Sequence, residues 1–219
     1  MISIYTLTTW IIPLLLCIIL HEVAHGYVAL KLGDKTAWLM GRLNLNPIKH
    51  FDLMGCVVVP LFLFLMKAPM LFGWAKPVPI DFSRLNNPKR DSGLVAAAGP
   101  MMNFLLAIAF VLIGRFVLWI LPIDNPLTTW FIQNIKNGIT FSLALCCFNL
   151  LPILPLDGGR IMVSILPRKY ANIYAESEKY GLFVLIGVLF LLPMMGLNIV
   201  GWFIGTLYPI LASFVNIFI

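Results

Sequence analysis

Apolar residues in this chain come in long unbroken runs. A helix needs about 20 mostly apolar residues to cross a hydrocarbon core about 30 Å thick, and five segments meet or approach that length: 3–30, 93–120, 135–156, 180–197 and 199–219. A sixth run, 53–66, is shorter, is bounded by Asp52 and Lys67, and carries Pro60 in its middle. Runs of that length commonly re-enter or lie at the interface. Period-two alternation appears in two places: Leu43 and Leu45 between Arg42, Asn44 and Asn46, and Val78, Ile80 and Phe82 between Pro77, Pro79 and Asp81. Both segments suit a small membrane-level sheet, with the prolines confining the second to an edge. The predicted architecture is an all-α polytopic membrane protein of five to six transmembrane helices, with a short re-entrant or β-like membrane segment after the first helix, in a single domain over 1–219. The first run lacks a basic leader and an Ala-x-Ala site and leads straight into His21 and Glu22, so it reads as a retained span.

Composition sharpens this picture. The chain is 61% apolar and 11% charged, against about 25% charged for a soluble domain, which excludes a soluble globular protein. Fifteen Lys and Arg against nine Asp and Glu give a net charge of +6. These cations lie between the apolar runs, so they orient the chain in a lipid bilayer and do not point to nucleic acid. Lys31, Lys35, Arg42 and Lys49 follow the first run; Lys67, Lys76, Arg84, Lys89 and Arg90 precede the run at 93; Arg160, Arg168, Lys169 and Lys179 lie between those at 135 and 180. The amino terminus, the 121–134 loop and the turn near Gly196 have no Lys or Arg. The positive-inside rule then places the three basic loops in the cytoplasm and the amino terminus outside, and asks 53–66 to return to the side it entered from. Cys17, Cys56, Cys146 and Cys147 form no Cys-x-x-Cys pair and sit in or beside apolar runs, so no disulfide framework is expected.

The first helix ends in His21-Glu22-Val23-Ala24-His25. On a helix, positions i and i+4 share a face, so both imidazoles can bind one Zn²⁺ while Glu22 reaches a metal-bound water as general base. A catalytic zinc also needs a third protein ligand and an open fourth position. Asp157 closes the apolar segment 148–157 at the depth of the histidine pair and can be that ligand; it can equally cap a short helix over 158–166. Asn149 stands two helical turns earlier, where Pro152 and Pro155 distort the backbone, and suits either substrate contact or an interhelical hydrogen bond. Asn103 reads as an interhelical hydrogen-bonding residue, Cys17 as a buried apolar residue, and His50 as a loop histidine at the interface. Trp10, Trp38, Trp74 and Trp130 read as interfacial anchors, and Arg115 and Lys136 as side chains that reach the outer face.

Three separated motifs give the chain its resemblance to a known family: His21-Glu22-Val23-Ala24-His25, Ala98-Gly99-Pro100-Met101-Met102-Asn103, and Asn149-Leu150-Leu151-Pro152 running into Leu156-Asp157-Gly158. They resemble those of the site-2 proteases, zinc-dependent intramembrane metalloproteases. The stretches 73–79 and 41–47 resemble the compact prokaryotic branch, which has no PDZ or CBS domain. The resemblance implies that His21, His25 and Asp157 bind Zn²⁺, that Glu22 is the catalytic base or acid, and that Asn149 contacts substrate. It further implies transmembrane protein substrates, often already cut once outside the membrane by another protease, and products released to the cytoplasm from a multi-pass protein of the cell membrane. Two other classes remain open from the residues: a polytopic zinc transporter or channel, and an iron oxygenase with two histidines and one carboxylate. The scarcity of histidine, the absence of inverted halves, and the Glu between the histidines favour hydrolysis.

Overall fold

The computed structural model describes residues 4–66 and 73–218, and every regular element among them is helical. The principal helices are α1 (Ile4–Lys31), α2 (Met54–Leu65), α3 (Pro88–Ile120), α4 (Pro126–Asn149), α5 (Asp157–Ile165), α6 (Arg168–Met194) and α7 (Ile199–Asn216). Thr36–Leu39, Pro47–His50 and Phe82–Arg84 form short turns between them. Helices α1, α3, α6 and α7 are long and apolar enough to cross a membrane, which makes this a multi-pass membrane protein. Helix α4 is 24 residues long but carries Gln133, Asn134, Lys136 and Asn137, and packs against both α1 and α3.

Several helices start earlier than the apolar runs suggest, because capping sets the boundaries. Asn–Pro pairs open three helical segments. The side chains of Asn46, Asn87 and Asn125 accept hydrogen bonds from the amides of Ile48, Arg90 and Leu127, while Pro47, Pro88 and Pro126 take a first-turn position where no amide hydrogen is needed. Helix α3 therefore begins at 88 and not 93, and α4 at 126 and not 135. At its other end α4 stops at Asn149, and residues 150–156 run irregularly past Pro152 and Pro155, as two prolines dictate.

The bundle core lies where α1, α3 and α4 meet, with Cys17, Leu106, Phe110 and Ile135 in contact. A second cluster of Ala107, Val111, Leu143 and Val215 seats α7 on α3 and α4. A third joins Leu151 to Leu185, Leu189 and Val200. Cys17 donates to Ser142 Oγ or accepts from it at 3.1 Å, inside this core.

The segment between α1 and α3 departs most from expectation. No strand occurs among the described residues, so 43–46 and 78–82 do not form a sheet. Asn44 and Asn46 instead turn the chain. Asn44 Nδ2 donates to Gly41 O at 2.5 Å, and Asn44 Oδ1 accepts from the Asn46 amide at 3.0 Å, while Pro77 and Pro79 remove two amides a ladder would need. Residues 73–80 form an extended strap that lacks a strand partner. Its alternate amides are taken by other groups: Trp74 N donates to Gly55 O (3.2 Å), Lys76 N to His50 O (2.9 Å) and Val78 N to Glu22 Oε2 (2.8 Å). The Trp74–Gly55 bond brings the chain back to where the 53–66 excursion began. Lys67, which bounds that run in the sequence, lies outside the described residues, as do residues 3 and 219 at the ends of two other runs.

Tight packing in the bundle yields a stability prediction. A Cβ added at Gly138 on α4 would meet the Phe110 ring at 2.5 Å. Gly138→Val should cost about 1–3 kcal/mol through overpacking, seen as a lower thermal midpoint in detergent by tryptophan fluorescence; an unchanged midpoint contradicts it.

Candidate metal centre

Three ligand-type side chains meet between α1, α3 and the start of α5. His21 and His25 lie one turn apart on α1, both buried, and their Nε2 atoms are 3.0 Å apart. His21 Nε2 is 3.1 Å from Asp157 Oδ2, and His25 Nε2 is 3.3 Å from Asp157 Oδ1. Asp157 is the first residue of α5, and no side chain caps that helix. Its carboxylate is turned to the histidines, so the capping alternative has no support in the geometry. The position is fixed by the glycines that follow: a Cβ on Gly159 would lie 2.6 Å from Leu154 N and 2.7 Å from Ile153 C. Only side-chain-free residues let α5 start folded back against 150–154.

These residues fit a zinc ion. The ligand-type atoms of His21, His25 and Asp157 all lie within 4.8 Å of one another. Ligands about 2.0–2.2 Å from a tetrahedral zinc are separated by about 3.3 Å, close to the spacings found here. Asp157 Oδ2 is buried and accepts no hydrogen bond among the described residues, an orphaned acceptor of the kind a cation satisfies. One nitrogen from each histidine and one carboxylate leave a fourth position for water or substrate.

Helix α3 supplies the back of the site. Val95, Gly99 and Asn103 recur every four residues and so share a face. Val95 O lies 2.7 Å from His25 Nδ1, and the Asn103 amide lies 3.1 Å from His21 Nδ1. Between them Gly99 leaves room for both rings: a Cβ there would lie 2.5 Å from His21 Cε1 and 2.6 Å from His21 Nε2. Asn103 is fully buried. It is an interhelical hydrogen-bonding residue, as its sequence context suggests, but its partner belongs to the metal-binding candidates.

The site opens into a cavity of about 520 Å³ lined by His21, Glu22, His25, Asn149, Asp157 and the strap. Asn149 donates to Leu145 O one turn back (3.1 Å) and lies on the wall of the same cavity as the three ligand candidates. Arg160, also on the wall, pairs with Glu178 and stacks on Phe82 at 4.9 Å. Two other singled-out residues lie elsewhere. Cys17 faces Ser142, and His50, buried, is 2.9 Å from Asn44 O in the turn before α2.

Known proteins resemble this chain over most of its length. The family model described as Peptidase family M50 matches residues 120–193, which include Asn149 and Asp157. The protein named "Putative zinc metalloprotease YwhC" of Bacillus subtilis is 37% identical over 185 residues, 84% of this chain and 80% of that protein. "Putative zinc metalloprotease Rip2" of Mycobacterium tuberculosis is 30% identical over 198 residues, 89% of this chain and 69% of that protein. "Zinc metalloprotease MJ0392" of Methanocaldococcus jannaschii is 26% identical over 192 residues, 86% of this chain and 44% of that protein. No solved structure matches the chain.

The clearance at Gly99 can be tested. Gly99→Ala should displace the two imidazoles and weaken zinc binding about tenfold or more, measured by chelator competition on purified protein; wild-type affinity in that variant would show that the rings do not need the space.

Proposed function

The chain belongs to peptidase family M50, the site-2 protease family of metalloproteases, and on that premise we propose that it is a zinc-dependent endopeptidase cutting transmembrane segments of other membrane proteins within the bilayer. The observation that carries this reading is the convergence of His21, His25 and Asp157, with Glu22 on the same cavity wall. His21 lies ten residues from the end of α1 at Lys31, about 15 Å along the axis. With Lys31 at the membrane surface, that distance supports a site within the bilayer.

His21 Nε2, His25 Nε2 and an Asp157 oxygen would hold the ion. When bound, zinc supplies a Lewis acid that lowers the pKa of a coordinated water to about 7 and polarises the peptide carbonyl. Glu22 handles the proton. Its Oε2 is held by the Val78 amide at 2.8 Å, which leaves Oε1 to take a proton from the attacking water and return it to the leaving amine. Asn149, on the cavity wall, would contact the substrate backbone.

A helical substrate must unwind to expose a peptide bond, and its freed amides cost several kcal/mol each in hydrocarbon. The strap offers them partners. The amides of Trp74, Lys76 and Val78 are used and Arg42 donates to the Pro77 carbonyl; by the alternation of an extended chain, Ala75 would turn its amide and carbonyl, and Pro79 its carbonyl, to the opposite edge. Pro77 and Pro79 have no amide hydrogen, so this edge mainly accepts, and an unwound substrate strand would mainly donate to it.

Lys31 at the end of α1, Lys89 at the start of α3 and Arg160 on the cavity wall flank the site, which supports a cytoplasm-facing site and release of products to that side. Helix α2 has 12 residues, about 18 Å, and the Trp74–Gly55 contact closes its excursion. Both support a re-entrant segment. The names of the relatives lend nothing to the transporter reading.

Glu22→Gln should keep its zinc and lose cleavage of a reconstituted transmembrane substrate by about 100-fold or more; undiminished cleavage, or loss of zinc together with activity, overturns the role of Glu22. In that trapped background, Ala75→Cys and Pro79→Cys should crosslink to bound substrate. Crosslinks forming only at positions away from the strap would sink the edge-pairing idea.

A further inference from the structure

Two histidines can serve one metal ion through Nε2 only if both Nε2 atoms carry lone pairs, so each Nδ1 must hold its proton and find an acceptor. For His25 the acceptor is plain. Val95 O lies 2.7 Å from Nδ1, and a carbonyl can only accept, so His25 carries a proton on Nδ1, which frees Nε2 to serve as a metal ligand beside Asp157 and His21. For His21 the atom facing Nδ1 belongs to the side-chain amide of Asn103, 3.1 Å away and fully buried. Placed as Nδ2, that atom would donate to Nδ1 and drive the His21 proton onto Nε2, pointed at the other two ligand candidates. The same amide leaves its Oδ1 buried and without a hydrogen-bond partner among the described residues. Amide oxygen and nitrogen exchange places by a half-turn about the last side-chain bond. After that turn Oδ1 accepts from His21 Nδ1, and the two imidazoles have matching environments, one oriented by a backbone carbonyl and the other by a side-chain carbonyl.

We propose that Asn103 is a positioning residue for the metal site: its Oδ1 accepts the His21 Nδ1 proton and fixes the tautomer in which His21 Nε2 is a zinc ligand. The proposal rests on the reading of His21, His25 and Asp157 as the ligands. Asn103 touches neither substrate nor reacting atoms and acts through His21. Its place follows from α3, where Gly99 one turn earlier clears the space in front of the rings and Val95 two turns earlier holds His25. A single face of α3 therefore sets the orientation of both histidines.

Zinc and Co²⁺ affinities of the full-length protein in detergent, read by chelator competition and by the visible Co²⁺ spectrum, test the proposal. Asn103→Leu should bind either metal about 10–100-fold more weakly than wild type, with an altered Co²⁺ spectrum. Asn103→Asp, whose carboxylate can only accept, should stay within a few-fold of wild type or bind more tightly. An interhelical contact made through the amide N–H gives the opposite pattern, because Asp then fails as badly as Leu; that result overturns the proposal, as does wild-type affinity in Asn103→Leu. If Asn103→Leu does not fold, the comparison of Asn103→Asp with Asn103→Ser still decides, since Ser is too short to hold Nδ1 at the same distance and should bind more weakly than Asp. A wild-type protein that binds no zinc overturns the ligand reading itself and this proposal with it, whereas zinc-replete wild type with an indifferent position 103 overturns this proposal alone.

Discussion

A carboxylate and two imidazoles buried among apolar helices must be satisfied by one another, by the backbone or by a cation, because apolar surroundings offer nothing else to pair with them. Much of this fold meets that demand. The α1–α3–α4 bundle brings His21 and His25 against a face of α3 that offers Val95 O, the gap at Gly99 and the Asn103 amide. The glycines after Asp157 let α5 fold back so that its first side chain enters from the third direction. At the site, two buried oxygens lack a hydrogen-bond partner among the described residues, Asn103 Oδ1 and Asp157 Oδ2, and the second sits where the histidines converge.

The same economy shapes the segment between α1 and α3, where a sheet seemed due. With no ladder to hold it, the chain is anchored by acidic side chains that accept from backbone amides. Glu22 takes Val78, Asp34 takes Thr36 and Asp81, and Asp52 takes Gly55. At the start of α3, Asp91 takes Asn87. Asp34 and Asp91 are fully buried, which costs less than it first suggests because each has two or more hydrogen bonds to its oxygens. Few acidic residues are present, and most of those in this region serve as fixed points for an otherwise unpaired backbone.

Sequence patterns carry the helices and the metal pair because both are local properties. Long apolar runs dictate helices in lipid, and His-x-x-x-His on a helix dictates a shared face. Helix boundaries are less visible in hydropathy, yet the Asn–Pro pairs at 46–47, 87–88 and 125–126 carried them: each is a capping side chain followed by a residue suited to a helix's first turn. The alternation at 43–46 and 78–82 suggested a sheet that is not there among the described residues, because alternation says nothing about whether a partner strand exists. Asn103 was legible as an interhelical hydrogen-bonding residue, but not as one that meets a metal-binding candidate. Which side chain it meets depends on how α3 docks on α1, and the one local hint is its spacing of four residues from Gly99 and eight from Val95.

The strap links these constraints to chemistry. Val78 is both a member of the extended segment and the donor that holds Glu22 Oε2, so the geometry of the proposed base depends on a segment lacking strand pairing. A substrate strand that added to the free edge at Ala75 and Pro79 would stiffen that segment through new backbone bonds. It would thereby steady the Val78 amide that orients Glu22. In the proposed mechanism, then, alignment of the peptide bond and alignment of the base are not separate events. An unwound segment that pairs poorly with the strap would also leave Glu22 poorly held, which discriminates against chains that enter the cavity without adopting an extended backbone, through loss of catalytic geometry more than through loss of binding.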